Sequence, residues 1–307
     1  MKTLYIIGNG FDIHHSLSTS YADFHQFVVR NNPDLENTLE DYFTFETNKN
    51  YLWCNFENDL CRFNHKYFFD NFNVMDVLSE SFRPSECFGL EDEINQAAEE
   101  LVQEIKDEFL AWIEAIEYPP IDEVTSVIDL VPGSLFLNFN YTDTLEELYR
   151  IPKHSILYIH NNANDMSGEL IFGHSQNIES HPKEADFNAD GESNRTMFTD
   201  AEDAARSPFY AFQKETDQVI ETHGHFFKGL DLITEIVVLG HSLGDVDWPY
   251  FKLIANNAPN AMWKISYFGN ENVKVSQKQR AIEMLNVKDN YIEMIQINDL
   301  CKPVSNN

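Results

Sequence analysis

Apolar and polar positions fall in blocks along this chain, and the blocks change character twice. Leu4-Tyr5-Ile6-Ile7 is a short apolar run, the length of a buried strand and too short for a buried helix. It ends at Gly8-Asn9-Gly10, where glycines let the backbone turn sharply and approach a ligand closely. Ser20-Tyr21-Ala22-Asp23 reads as an N-cap with an acid three residues on, ahead of Phe24, Phe27 and Val28. The pattern predicts a helix over about 21–30 and a long loop before it, a position where loops often bind something.

From Pro33 onward the period becomes helical. Leu35, Leu39, Tyr42 and Phe43 are spaced for one face, and so are Trp53, Phe56, Leu60 and Phe63. The clearest helix runs over 92–116, with Ile94, Ala97, Leu101, Ile105, Phe109, Trp112 and Ile116 on one side and acids on the other. Pro119-Pro120 stops it. Residues 74–90 carry few helix signals and read as a link.

Strand-like runs return at 134–138, 155–160, 170–173, 235–239, 262–268 and 291–297. Helical patterns lie over 142–150, 209–227, 248–256 and 276–285. Alternation of this kind predicts an α/β fold, a Rossmann-like, mostly parallel sheet with helices on both faces. The expected core is 1–30 with 131–307, interrupted by a helical insertion over 31–130. The polar segment 176–206 has no period and is expected to be a loop or lid.

Polar residues collect where strands end. The groups are Gly8-Asn9-Gly10-Phe11-Asp12, Asn138-Phe139-Asn140-Tyr141-Thr142-Asp143, His160-Asn161-Asn162 and Gly240-His241-Ser242-Leu243-Gly244-Asp245. Ligands of such sheets sit at the carboxyl ends of strands. One Asn or His there is usually a turn or cap residue, whereas four clusters together point to a shared crevice. Its expected lining is Gly8, Asn9, Gly10, Phe11, Asp12, Asn140, Asp143, His160, Gly240, His241 and Ser242, with His14 and His15 at the rim or on the surface. Backbone N–H groups at the glycines would form an anion nest. The fingerprint G-x-G-x-x-G is incomplete, because Ile13 stands at its third glycine.

Gly240-His241-Ser242-Leu243-Gly244 also fits the nucleophile elbow G-x-S-x-G. That chemistry needs a later histidine as base, and none follows His241. A turn lining a pocket is the better reading.

Composition narrows the partners. Lys+Arg 21 against Asp+Glu 51 leaves a net charge of −30, which repels bare nucleic acid and anionic membrane. It also disfavours a nuclease, as does the lack of a tight acidic metal cluster. The four cysteines form no C-x-x-C pair, so neither a zinc ribbon nor a disulfide framework is indicated. No metal and no tightly bound cofactor are expected. The start lacks the apolar core of a signal peptide, and no window reaches the length of a membrane span. A cytoplasmic, reduced protein is the expectation. Nothing in the sequence decides whether copies form a homo-oligomer.

LYIIGNGFDIHHSLSTSYADF, FLNFNYTDTLEELY and VVLGHSLGDVDWPYF resemble, in order and spacing, three signature blocks of the AbiH family of bacteriophage abortive-infection proteins. The departures are His160-Asn161, where the family often has His-Gly, and Ser16 and Ser18, where it often has Gly. That family is in turn distantly similar to sirtuin-like NAD-consuming domains. Those carry a glycine loop after strand one, an N-Y-D-x-L-x-E block, a His ending a later strand and a late G-x-S block. Here Asn140-Tyr141 opens the block and Glu146 closes it, with Thr142 at its Asp and Asp143 next door. The resemblance implies phage defence by hydrolysis of the nicotinamide–ribose bond of NAD, with Asn140 and His160 catalytic and a phage component as trigger. The missing zinc module argues against protein deacetylation. The alternative is a nucleotide-binding or partner-binding defence module without catalysis.

Overall fold

The computed structural model describes residues 2–47, 52–120, 126–164, 168–176 and 187–303. The chain begins with β1 (Thr3–Ile7), α1 (Asn9–His14), α2 (Tyr21–Asn31), α3 (Pro33–Tyr42), α4 (Phe56–Asp59), α5 (His65–Phe72) and α6 (Leu90–Glu114). It continues through β2 (Ser126–Ile128), β3 (Leu135–Asn138), α7 (Thr144–Tyr149) and β4 (Ile156–Tyr158). Helices α8 (Thr199–Ala204), α9 (Ser207–Ala211), α10 (Thr216–Thr222) and α11 (Gly224–Lys228) precede β5 (Glu235–Leu239). The chain closes with α12 (Trp248–Asn257), β6 (Met262–Ser266), α13 (Glu271–Leu285), β7 (Ile292–Ile295) and β8 (Cys301–Pro303).

Two compact units result. One holds residues 1–20, 113–171 and 215–307, the other 21–112 and 172–214. The expected boundaries, 1–30 with 131–307 around 31–130, differ from these in three places, one of them 113–130, which goes with the sheet. Helix α2 goes with the helical unit, and so does 172–214, which the sequence pattern assigns to the core.

The first unit is a six-stranded sheet in the order β4-β3-β1-β5-β6-β7, with every neighbouring pair parallel. Counted within this sheet, the order is 3-2-1-4-5-6, that of a Rossmann fold. Side chains alternate across each strand. Leu4, Ile6, Ile236, Val238, Trp263 and Ile265 face one core with residues of α10 to α13. Tyr5, Ile7, Phe136, Val237 and Leu239 face another with Phe11 and Leu145. Apolar burial on both faces is why these strands read as continuous apolar runs. An antiparallel pair, β2 with β8, was not expected and lies apart from the main sheet.

The loops after β1 and β5 touch backbone to backbone. Gly8 N donates to Leu239 O at 2.9 Å and Gly10 N to Gly240 O at 2.8 Å. No side chain fits between them. A Cβ on Gly8 would lie 2.6 Å from His241 Cα, and one on Gly240 only 2.0 Å from Phe11 N. This contact corrects two expectations. Helix α1 starts directly after Gly8, where a long loop was foreseen. The N–H groups of Gly8 and Gly10 are also spent on carbonyls of the neighbouring loop rather than held open for an anion.

The second unit is built on aromatic packing. Phe24 meets Phe56, Phe109 and Trp112 with ring centroids 4.9, 5.3 and 5.1 Å away. Phe172 stacks on Phe109 at 4.3 Å, which is one reason 172–214 joins this unit. Another is a buried ion pair. Lys214 Nζ lies 2.5 Å from Glu57 Oε2, which also accepts from Gly173 N at 3.2 Å. The run over 170–173 forms no strand, and the helix foreseen over 209–227 is broken into α9, α10 and α11. Residues 177–186 of the expected lid lie outside the described residues, and 199–204 of it is helix α8.

The glycine contact generates a stability test. Gly240 has φ +69°, and Gly191 has φ +80° with nothing within 4 Å of an added Cβ. Backbone strain alone costs about 1–3 kcal/mol at either site. Gly240→Ala adds a clash with backbone, so its melting temperature is expected to fall well below that of Gly191→Ala in side-by-side thermal denaturation. Equal losses would mean that the loops part easily.

Candidate functional site

Asp12 is the most deeply placed acid at the sheet's carboxyl edge. It follows β1 by one turn of α1, so the start of this helix at Gly8 decides where its carboxylate points. It is 1% exposed. Its Oδ2 accepts from the Thr142 hydroxyl at 2.5 Å, and Thr144 Oγ1 stands 3.2 Å from Thr142 Oγ1. Burial pushes the Asp12 carboxyl up to about 6, against the pull of Thr142, Thr144 and Asn140 toward the charged form. Two atoms here have no hydrogen-bond partner, Asp12 Oδ1 and Asn140 Nδ2. The Asn140 amide is near enough to favour the charge on Asp12, without hydrogen-bond geometry. Buried polar atoms are nearly always paired, and exceptions call for a water, a ligand or a catalytic role.

Asn140 sits in the bend after β3, its backbone N donating to Asn138 Oδ1 at 3.0 Å. Its neighbours Phe139 and Tyr141 carry the site toward β4 and β5. Phe139 lies edge-on to His160 and His241, at 5.4 and 4.5 Å between centroids, and Tyr141 stacks on His160 at 6.1 Å. His160 follows β4 and His241 follows β5, and both are buried. Asp247 stands between them, its Oδ2 3.2 Å from His241 Nε2 and its Oδ1 3.8 Å from His160 Nε2. Leu243 N donates to His241 Nδ1 at 3.0 Å, so the ring proton of neutral His241 is on Nε2, facing Asp247.

Other expected residues have structural partners. Asp143 precedes α7, accepts from the side-chain amides of Asn162 and Asn164, and gives its backbone N–H to Tyr118 Oη at 2.8 Å. Burial raises the Tyr118 phenol, and the charges of Asp143 and Asp12 add to it. Glu146 accepts from the Tyr158 hydroxyl, and burial raises its carboxyl. Asn9 Nδ2 donates to Thr19 O at 2.6 Å, holding the segment after α1. Phe11 is a core side chain. His15 gives Nδ1–H to Phe11 O at 2.7 Å and accepts from Tyr149 Oη at 2.6 Å, and burial holds it toward the neutral form. His14 Nε2 lies 3.4 Å from Cys301 Sγ.

Ser242 is exposed. The left-handed backbone beside it belongs to Leu243, φ +57°, whereas an elbow strains the nucleophile itself. Asp247, Thr142, Thr144 and Tyr118 were not among the expected site residues. The Asp at the end of GHSLGDVD was the one available signal. Among the described residues no group of three His, Cys, Asp or Glu side chains is arranged to hold a metal ion, and no helix is long and apolar enough to cross a membrane.

A family model described as bacteriophage abortive infection AbiH matches residues 4–267. That span carries β1 to β6 and every residue of the site. No curated protein matches the chain, and no solved structure does.

The buried acid predicts a pH signature. Its ordinary value of 3.8 rises to about 6 in the fold, so the folded state binds a proton that the unfolded state has already lost. Stability from this group is therefore full at low pH and lost as pH rises through about 6. The difference corresponds to about 3 kcal/mol. Asp12→Asn keeps an acceptor for Thr142 and is expected to melt higher than the parent at pH 8, the gap closing toward pH 4. A variant no more stable than the parent at pH 8 would refute the unfavourable burial.

Proposed function

The chain belongs to the AbiH family, which places it in phage defence by abortive infection, and from that premise we propose that it hydrolyses the nicotinamide–ribose bond of NAD. The observation that carries this reading is the pair of unpartnered buried atoms, Asp12 Oδ1 and Asn140 Nδ2, next to the aromatic wall that leads to His160.

The chemistry asks for three things. The C1′–N1 bond breaks with its electron pair leaving on neutral nicotinamide, and the ribose becomes oxocarbenium-like. Asp12, held in a buried site, supplies negative charge where that positive charge develops. Asn140 offers an uncharged donor that orients the ribose or the attacking water. The water's oxygen bonds to C1′, and its proton passes to His160 as general base. Ser242, exposed on the loop, has no part in bond cleavage.

One observation favours the second reading in its partner-binding form, a defence module without catalysis. The glycine N–H groups that would cradle a pyrophosphate already bond to Leu239 O and Gly240 O.

Incubating the protein with NAD, with and without lysate of infected cells as the source of trigger, and measuring free nicotinamide tests the proposal. Asn140→Ala and His160→Ala are each expected to lower cleavage by about 10²–10⁴-fold and to lose phage protection, with unchanged circular dichroism. Ser242→Ala is expected to lose no more than about 1 kcal/mol. Protection that survives both substitutions would favour the binding module. Loss of an esterase activity in Ser242→Ala alone would return the hydrolase elbow.

A further inference from the structure

We infer that Asp247 is a positioning residue that fixes the orientation and the charge of His160, with His241 as its second anchor. The inference rests on the NAD-hydrolysis reading for its catalytic consequence, but not for its geometry.

One carboxylate here serves two histidines from two different loops. His241 donates Nε2–H toward Asp247 Oδ2 at 3.2 Å, and its other nitrogen is occupied by Leu243 N–H at 3.0 Å. Both ring positions are thus defined with the imidazole neutral. His241 therefore holds the carboxylate in place without cancelling its charge. The other oxygen stands 3.8 Å from His160 Nε2, beyond a good hydrogen bond and within strong Coulombic range. An imidazolium formed at His160 would sit against a fixed negative charge. A carboxylate at this distance favours the charged form of a histidine.

The loop bears a cost for this arrangement. Gly240 has φ +69° and Leu243 has φ +57°. Left-handed backbone at a leucine is unfavourable, yet it delivers the Leu243 N–H to His241 Nδ1. Trp248 Nε1 donates back to Leu243 O at 3.3 Å. Asp245, the other acid of the turn, pairs with Arg280 Nη2 at 2.7 Å, so it is engaged elsewhere. Among the described residues, the titratable groups facing His160 include Asp247 from the β5 loop, Tyr141 from the β3 loop and Tyr250 from α12, the last with its ring centroid 6.2 Å away. Burial raises the Tyr250 phenol, and the charges of Asp247 and of Asp217 in α10 add to it. Asp247 is a carboxylate within ion-pair distance of His160.

The test uses Asp247→Asn, which keeps the size of the side chain and an acceptor for His241 while removing the charge. Proton NMR titration of the imidazoles, with the His160 resonance assigned by its absence in His160→Gln, is expected to give a lower His160 midpoint in Asp247→Asn than in the parent. In the cleavage assay the acid limb of the rate–pH profile should move in the same direction. The kcat should fall about 10-fold or more with KM little changed, and Asp247→Glu should recover part of it. Asp247→Ser is the second neutral variant should the asparagine fail to fold. An unmoved His160 midpoint overturns the inference. So does a moved midpoint with an unchanged rate–pH profile and kcat. If the parent cleaves no NAD under any condition, the functional reading falls, while the NMR midpoint still decides whether Asp247 sets the charge of His160.

Discussion

The backbone contact between the β1 and β5 loops is the constraint on which the site depends. Two hydrogen bonds, Gly8 N to Leu239 O and Gly10 N to Gly240 O, join adjacent strand ends where the sheet's winding reverses. Their closeness excludes every side chain at Gly8 and Gly240. With the first loop held so tightly, α1 begins at once and carries Phe11 into the core and Asp12 under the β3 loop. With the second loop held, the chain turns through Gly240 and Leu243 and brings His241 against Asp247. In many Rossmann folds the glycines leave room for a phosphate. Here the space is filled by the neighbouring loop, and chemistry falls to the side chains around it.

Much of the fold was legible because local and tertiary preferences agree. The runs at Leu4, Leu135 and Glu235 are short, apolar and ended by polar turns, and each is a strand. Where they disagree, reading the chain alone fails. Gly8-Asn9-Gly10 are poor helix formers, so α1 was invisible; its first turn is held by the Gly240 loop. The apolar run at Leu170 resembles a strand, yet Phe172 stacks on Phe109 and the run forms no strand. The helix foreseen over 209–227 breaks near Lys214, whose amine is drawn to Glu57 and whose backbone N donates to His174 O at 2.8 Å.

The site was half legible for a related reason. Motif position put Asp12, Asn140, His160 and His241 at the sheet's carboxyl edge, where the structure has them, because each follows a recognisable strand. It said nothing about which groups pair. Asp143 appeared equivalent to Asp12, yet the amides of Asn162 and Asn164 satisfy one acid while the other keeps an orphan oxygen. Asp247 lies beyond that reach, because His160 comes from the β4 loop and no spacing rule links residues that meet only in three dimensions.

The sign of the charge at the site bears on what it can stabilise. The chain carries −30, but screening limits exposed charges to about 8 Å at physiological salt, so a group inside responds mainly to its neighbours. Those neighbours are carboxylates, amides, hydroxyls and imidazoles. Such a set does little for the anionic phosphates of a dinucleotide. It does more for a centre that gains positive charge as its bond breaks. Burial makes Asp12 costly to ionise, and a positive charge brought beside it would offset that cost. The unfavourable burial of the acid and the negative charge it would offer to a positive centre are thus two consequences of one placement, which the glycine contact between the β1 and β5 loops enforces.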